Sequence, residues 1–286
     1  MINIGIIGNG FVGSAVAQGF AQWANVRIYD SEPSRSTHSW DEVARLSEII
    51  FVCVPTPMDD SDSGRQDLSI LDSVMWDLDR TASTNATVVI KSTVVPGTTL
   101  KYEKKHPQLN IVFNPEFLSE KTAVMDFNNP SRIVVGANKD LRHRLVVAML
   151  YRDRFPHVPI IETDAQTAEF IKYACNCFYA TKISVLNEFY QLSEKQNLDW
   201  DSIMSGLLLS GWVNPMHTLV PGTDGDYGFG GKCFPKDLNA FINFFQDHGV
   251  NPLMMQAAWN KNLEVRKEKN WLHIDGAVSN KGEQNE

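Results

Sequence analysis

Apolar residues along the first half of the chain fall into two repeating spacings. INIGII reads as a short strand from Ile2, and FVGSAVAQGF behind it has the period of a helix. Strand-like runs recur at Val26–Tyr29, Ile49–Val54 and Val88–Lys91, with shorter ones near Ile111–Phe113 and Ile133–Val135. Helical stretches lie between them, and that alternation predicts a doubly wound parallel sheet. Asp60–Leu68 reads as an exposed loop. Pro156-His157-Val158-Pro159 and Thr163-Asp164 mark a domain boundary, after which one long helix runs from about Thr167 towards Gln196. Its apolar positions, among them Phe170, Phe178, Leu186, Phe189 and Tyr190, cover more than one stripe. That pattern predicts burial on several sides and a homodimer built on this helix. Short helices follow between Asp199 and Pro221. Leu238, Phe241, Ile242 and Phe245 then keep helical spacing until His248-Gly249, and a last helix runs from Pro252 to about Lys269. The predicted fold is α/β, a Rossmann-type doubly wound sheet followed by an all-α domain with a long central helix. Its parts are 1–163, 164–270 and a disordered polar tail at 271–286.

Composition narrows the class. Hydrophobic residues at 43% and charged residues at 21% fit an ordinary globular protein with a sizeable core. A net charge of −8, with no basic run interleaved by aromatics, argues against a nucleic-acid surface. The four cysteines, Cys53, Cys175, Cys177 and Cys233, have the spacing of neither a zinc site nor a disulfide framework. A reducing, cytoplasmic setting without a metal is expected. No signal peptide precedes the strand at Ile2, and no apolar run would span a membrane.

Gly8, Gly10 and Gly13 are spaced as GxGxxG between the first strand and its helix. The first makes the turn, the second admits a pyrophosphate, and the third lets helix and strand pack closely. Asp30 ends the second strand, where an acid binds a ribose diol and selects NAD over NADP; Arg35 nearby weighs the other way. Three later strand ends carry polar or rigid clusters, VPTPMD, STVVPGTT and NPEFLSE, and ligands in such sheets bind beyond those ends. Pro55 and Pro57 read as loop-shaping. Thr93 is either a turn hydroxyl or a site residue. Glu116 and Glu120, four apart, would share a face on one helical turn, as a functional pair or as a solvated helix start. Lys172 and Asn176 are likewise four apart on the long helix, in an apolar setting where a lysine can serve as a proton acceptor or oxyanion partner. Cys175 and Cys177 read as helix packing. Cys233 stands between the glycines of GDYGFGGKC and a helix that opens with Pro235. Converging N–H groups, the helix dipole, Lys232 and Lys236 all favour the thiolate there, which makes Cys233 the candidate nucleophile.

Taken together, IGNGFVG, VCVPTP, KSTVVPGTT, NPEFLSEKTAVMDFNNPSRIVVG, TAEFIKYACNCFYATKISVLNE and GFGGKCFPKD resemble the UDP-glucose/GDP-mannose dehydrogenase family. Members are NAD-dependent four-electron enzymes that oxidise the C6 alcohol of a nucleotide sugar to a carboxylate. The resemblance implies UDP-glucose as substrate and Cys233 as the nucleophile that forms a thiohemiacetal and then a thioester. It implies Lys172 and Asn176 as oxyanion partners, Asp237 and Thr93 handling protons through water, and Glu116 assisting thioester hydrolysis. Cofactor contacts would come from Gly8, Gly10, Phe11, Val12, Gly13, Asp30, Arg35, Pro55, Thr56, Thr93 and Glu120. Substrate contacts would come from Phe117, Leu118, Lys172, Asn176, Phe229, Gly230 and Gly231, and Arg132 matches a position with a structural role. The chain departs from the family pattern twice. It ends before the usual C-terminal Rossmann-like domain, and an ungapped count puts His217 where the family carries an arginine for the neighbouring subunit's sugar site. Two other readings compete, a two-electron hydroxyacid dehydrogenase and a non-catalytic NAD- or nucleotide-sugar-binding protein. The first has no use for Cys233, and the second none for so complete a set of chemical groups.

Overall fold

The computed structural model describes residues 1–59, 64–139 and 141–279. Asp60–Ser63, the tip of the expected exposed loop, and the end of the expected tail from residue 280 lie outside that description. Strands are β1 (Ile2–Ile7), β2 (Ala24–Tyr29), β3 (Ile49–Val52), β4 (Thr87–Ile90), β5 (Asn110–Phe113), β6 (Ile133–Gly136) and β7 (Ile160–Thr163). Helices are α1 (Phe11–Phe20), α2 (Trp40–Leu46), α3 (Ser69–Thr81), α4 (Thr98–Lys105), α5 (Ala123–Asn128), α6 (Leu141–Arg154), α7 (Ala165–Gln196), α8 (Trp200–Leu209), α9 (Phe234–Asp247) and α10 (Leu253–Val265).

The chain divides into two compact units. The first joins Met1–Thr56 to Leu68–Lys172; the second joins Pro57–Asp67 to the chain from Tyr173 onward. The expected boundary at Thr163-Asp164 falls just ahead of α7, whereas the units part inside that helix, after Lys172. In the first unit seven strands lie in the order β2-β1-β3-β4-β5-β6-β7. All neighbours are parallel except β5 and β6, which meet antiparallel at Phe113 and Gly136. The α/β class and Rossmann-type sheet hold, with that one reversal and with β7 added. Alternate residues serve opposite faces, as the two-residue period of a strand requires. Ile4, Ile6, Phe51 and Val89 pack with Phe20, Phe127 and Tyr151. Ile7, Ile50, Val52, Val88 and Ile90 pack with Leu71, Met75 and Leu78 on the other side. Each such side chain taken fully out of water adds about 1.5–3 kcal/mol.

Helix α7 has an unusual polarity. Its buried stripe carries Glu169, Lys172, Asn176, Ser184, Asn187 and Ser193. Phe178, Phe189 and Leu192, in contrast, are 67%, 51% and 59% exposed. The expected apolar girth is therefore one open apolar face backed by a buried stripe in which Ala165, Ala168, Tyr173, Cys177, Ala180 and Leu186 alternate with those polar groups.

In the second unit the expected disordered tail needs correction through Ser279. Trp271 is buried against Trp259, with ring centroids 5.5 Å apart, and Ala277 is buried with it. Val278 forms a parallel bridge to Met58, and Ser279 donates to Asp67 at 2.8 Å. Apolar burial and backbone pairing outweigh the polar composition. Of the expected exposed loop, Gln66 pairs antiparallel with Met58, which lies just ahead of the loop, and Gly64 is buried. Trp271→Ala is expected to destabilise the protein by about 3–5 kcal/mol, the usual cost of emptying such a site. Urea denaturation measures it, and a loss below about 1 kcal/mol would show that the segment adds little.

Candidate active site

The turn after β1 shows why the glycines stand where they do. Gly8 has φ +91°, and a Cβ on Gly13 would lie 1.9 Å from the Gly8 carbonyl oxygen. Gly10, ahead of α1, has open space where its Cβ would be, so a phosphate can approach the first N–H groups of the helix. Asp30, just after β2, accepts from the Asn9 N–H at 2.6 Å and from the Glu32 N–H at 2.9 Å. Its carboxylate is thus fixed beside the turn. Arg35 is exposed, and its carbonyl accepts from Asn9 Nδ2 at 2.7 Å. Phe11 with Ser14 and Glu120–Met125 lines an open cleft of about 440 Å³, and Val12 is half-buried beside Phe11. These groups fit a dinucleotide: a close-approach glycine, a bare helix start and an oriented acid.

Further strand ends of the same unit add chemistry. Thr56 donates to the Thr93 carbonyl at 2.8 Å, and both residues are buried, with Pro55 half-buried. Glu116 is buried in the turn after β5. It accepts from Lys172 Nζ at 2.8 Å and from the Leu118 N–H at 2.6 Å. Burial pushes its carboxyl up, but the Lys172 charge and hydrogen bond, the Leu118 N–H and Lys91 outweigh that and hold it below the usual range. Phe117 lies 4.0 Å under the Arg132 guanidinium and 5.5 Å from Lys172 Nζ, which gives Arg132 a stacking role. The shared helical face expected of Glu116 and Glu120 is absent. Residues 114–119 are not helical, so one carboxylate is buried and the other exposed.

Spacing did not reveal two supports of this region. Lys91 is buried and donates to the Asn114 carbonyl at 3.2 Å and to Asn114 Oδ1 at 2.9 Å, while burial lowers its pKa to about 8. Glu169, three residues before Lys172, accepts from the N–H groups of Gly97 at 2.6 Å and Thr99 at 2.8 Å, and from the Thr99 hydroxyl at 2.6 Å. A carboxylate from α7 thereby caps α4.

In the second unit Cys233 is the N-cap of α9, half-buried, with Pro235 in the first turn behind it. None of the four cysteines forms a disulfide. Asp237, in the same first turn, is 1% exposed. Its carboxylate accepts from Asn176 Nδ2 at 2.6 Å and pairs with Lys236. Lys236 is thus directed to a carboxylate, which corrects its expected role as a bare charge beside the thiol. Phe229 is buried edge-on to Phe234, with Gly230 and Gly231 half-buried after it. His217 has φ +60°, and its ring centroid lies 5.2 Å from that of Tyr179, tilted, and 5.1 Å from that of Phe234, edge-on.

A glycine-rich turn on a largely parallel sheet, with an oriented acid after the second strand, defines a Rossmann-type dinucleotide-binding fold. The chain belongs to the UDP-glucose/GDP-mannose dehydrogenase family: its NAD binding domain matches residues 28–154 and its central domain residues 166–264. The chain is 29% identical to a UDP-glucose 6-dehydrogenase of Haloferax volcanii, over 91% of this chain and 69% of that protein. It is 36% identical to a UDP-glucose 6-dehydrogenase of Rhizobium meliloti, over 71% of this chain and 47% of that one. A UDP-glucose dehydrogenase structure from Pyrobaculum islandicum superposes with a TM-score of 0.82 at 28% identity, over 92% of this chain and 68% of that chain. The chain thus spans between about half and two thirds of these relatives. Among the described residues, no helix is long and apolar enough to cross a membrane.

Burial pushes the Glu169 carboxyl up to about 7 against hydrogen bonds from Thr99 and Gly97 that favour its charge. The folded protein therefore keeps a proton that the unfolded chain gives up from its ordinary value of 4.5. This contribution to stability is full below that value and is lost as pH rises through about 7. Subtracting the stability of Glu169→Gln from that of the natural protein should leave a difference that declines between about pH 5 and 8. Urea titrations across that range measure it, and a flat or rising difference would contradict the assignment.

Proposed function

We propose that this chain oxidises the C6 alcohol of a nucleotide sugar, UDP-glucose first among them, to the uronic acid in two NAD-dependent steps. The observation that carries the reading is Cys233 at the start of α9, in one helical turn with a buried Asp237 that Asn176 holds at 2.6 Å. NAD, when bound, takes up the hydride in each oxidation. Cys233 then has a defined task. Its thiolate adds to the C6 aldehyde, forming a C–S bond and an alkoxide, because only a tetrahedral adduct can release a second hydride. Lys172 and Asn176, one turn apart on α7, supply the positive charge and the N–H that such an alkoxide needs. Loss of the second hydride leaves a thioester on Cys233. Glu116, a carboxylate at neutral pH, takes a proton from the water that attacks this thioester. The C–S bond breaks, and the thiolate returns. Thr93 and Asp237 move protons through water in the first oxidation. We place the reaction in the cytoplasm, where thiols stay reduced. A two-electron hydroxyacid dehydrogenase would leave Cys233 without a task.

The exposed apolar face of α7 supports a homodimer, since a second copy would cover Phe178, Val185, Phe189 and Leu192. Light scattering at micromolar concentration should report a dimer, and Phe189→Lys should shift it towards monomer. Monomers alone in the natural protein would end this part of the reading.

The covalent role is tested by NADH released per sugar consumed. The natural protein should give two and Cys233→Ser should approach one, because a serine hydroxyl without a strong base is a poor nucleophile. Mass spectrometry should find an adduct on Cys233 during turnover. A Cys233→Ala protein that still releases two NADH per uronic acid would overturn the mechanism.

A further inference from the structure

The backbone that leads into Cys233 is bonded to side chains at one residue after another. Asn187 of α7 accepts the Gly228 N–H at 3.1 Å. Asn262 of α10 accepts the Phe229 N–H at 2.6 Å through Oδ1 and donates through Nδ2 to the Phe229 carbonyl at 3.0 Å. Asn270 accepts the Gly231 N–H at 3.0 Å. Arg266, one turn beyond Asn262, pairs with Asp224 at 2.6 Å and donates to the Tyr227 carbonyl at 3.3 Å. The loop lies so close on this clamp that a Cβ on Gly230 would sit 2.2 Å from the Arg266 guanidinium and 2.4 Å from Asn270 Oδ1.

Asn262 differs from the other clamp residues. It is 0% exposed and spends both ends of its amide on the two backbone groups of one residue, as a neighbouring strand would. The pairing needs one donor and one acceptor side by side on a neutral group, a requirement that a carboxylate cannot meet. With the reaction proposed above as its premise, we propose that Asn262 is the positioning residue of the Cys233 nucleophile, fixing Phe229 so that Gly230–Lys232 deliver the thiol at the start of α9.

The test exploits a group with the shape of the amide but a removable proton. In Asn262→Asp the neutral carboxylic acid can accept from the Phe229 N–H and donate to its carbonyl, whereas the ionised form loses the donor and opposes that carbonyl. Other charges on the clamp and on α10 are Arg266 with Asp224 and Asp226, and Lys261 with Glu264 and Glu188. The measurement is the rate of iodoacetamide alkylation at Cys233, read on its own peptide by mass spectrometry, with kcat and the KM for NAD alongside. All values are taken as the ratio of variant to natural protein at each pH, which cancels the titration of the thiol itself. At about pH 8.5 alkylation and kcat should fall about tenfold, the cost of a lost buried hydrogen bond, and the ratio should recover as pH falls towards about 6. The KM for NAD should stay constant. Asn270→Ala, which removes only the Gly231 anchor, should give a smaller loss without recovery at low pH.

A folded Asn262→Asp protein whose ratio is the same at every pH would overturn the proposal. If that variant does not fold, Asn270→Ala decides, and alkylation at the natural rate would overturn it. Alkylation needs no substrate. A natural protein that oxidises no nucleotide sugar would therefore remove the proposed reaction while leaving the clamp comparison intact.

Discussion

Burying charge along one helix is the constraint on which the rest of this molecule depends. A polar group taken out of water without a partner costs several kcal/mol, so every inward residue of α7 has to find one. Glu169 finds the first N–H groups of α4, Lys172 finds Glu116, Asn176 finds Asp237, and Asn187 finds the Gly228 N–H. Each partner lies in a loop or at a helix start with little regular structure of its own. Within the first unit α7 thus fixes the start of α4 and the turn after β5, and within the second it fixes the start of α9 and the turn at Gly228.

The same rule explains how the acids are tuned. Glu116 and Glu169 are both buried, yet their carboxyls move in opposite directions. Glu116 meets the Lys172 charge at 2.8 Å, and that charge and its hydrogen bond, with the Leu118 N–H and Lys91, together outweigh its loss of water. Glu169 meets N–H dipoles and a hydroxyl with Glu103 nearby, and burial prevails. Two buried glutamates are thus shifted in opposite directions by what faces them.

Regular spacing made much of the fold legible in the sequence. The glycine turn, the strands from Ile2 to Val135 and the first turn of α9 around Pro235 all obey local rules of period or capping. Strand β7 did not stand out, because it is four residues long, follows Pro159 and leaves Ile161 exposed, so no apolar run marks it. Glu116 and Glu120 misled by spacing alone. Their turn is held by Lys172, fifty-six residues further on, and no local pattern reports such a partner. Asn187, Asn262 and Asn270 were silent for the same reason. An asparagine has no period, and its value here comes from a backbone group that folding brings to it. The glycine turn ahead of α1, being local, was readable. The supports of Cys233, being distant in sequence, were not.

The segment Pro57–Asp67 carries a consequence for synthesis. It leaves the ribosome between β3 and α3, yet its bridge to Val278 and its hydrogen bonds to Ser279 wait for residues made more than two hundred positions later, 212 in the case of Asp67 and Ser279. At roughly 5–20 residues per second, that wait is on the order of ten to forty seconds. Throughout it the nascent first unit can assemble its sheet while one of its own connections stays unspoken for, open to solvent, chaperones or a neighbouring copy. Val278 and Ser279 thus act as a latch, and this segment reaches its finished pairing only after the chain in between has been made.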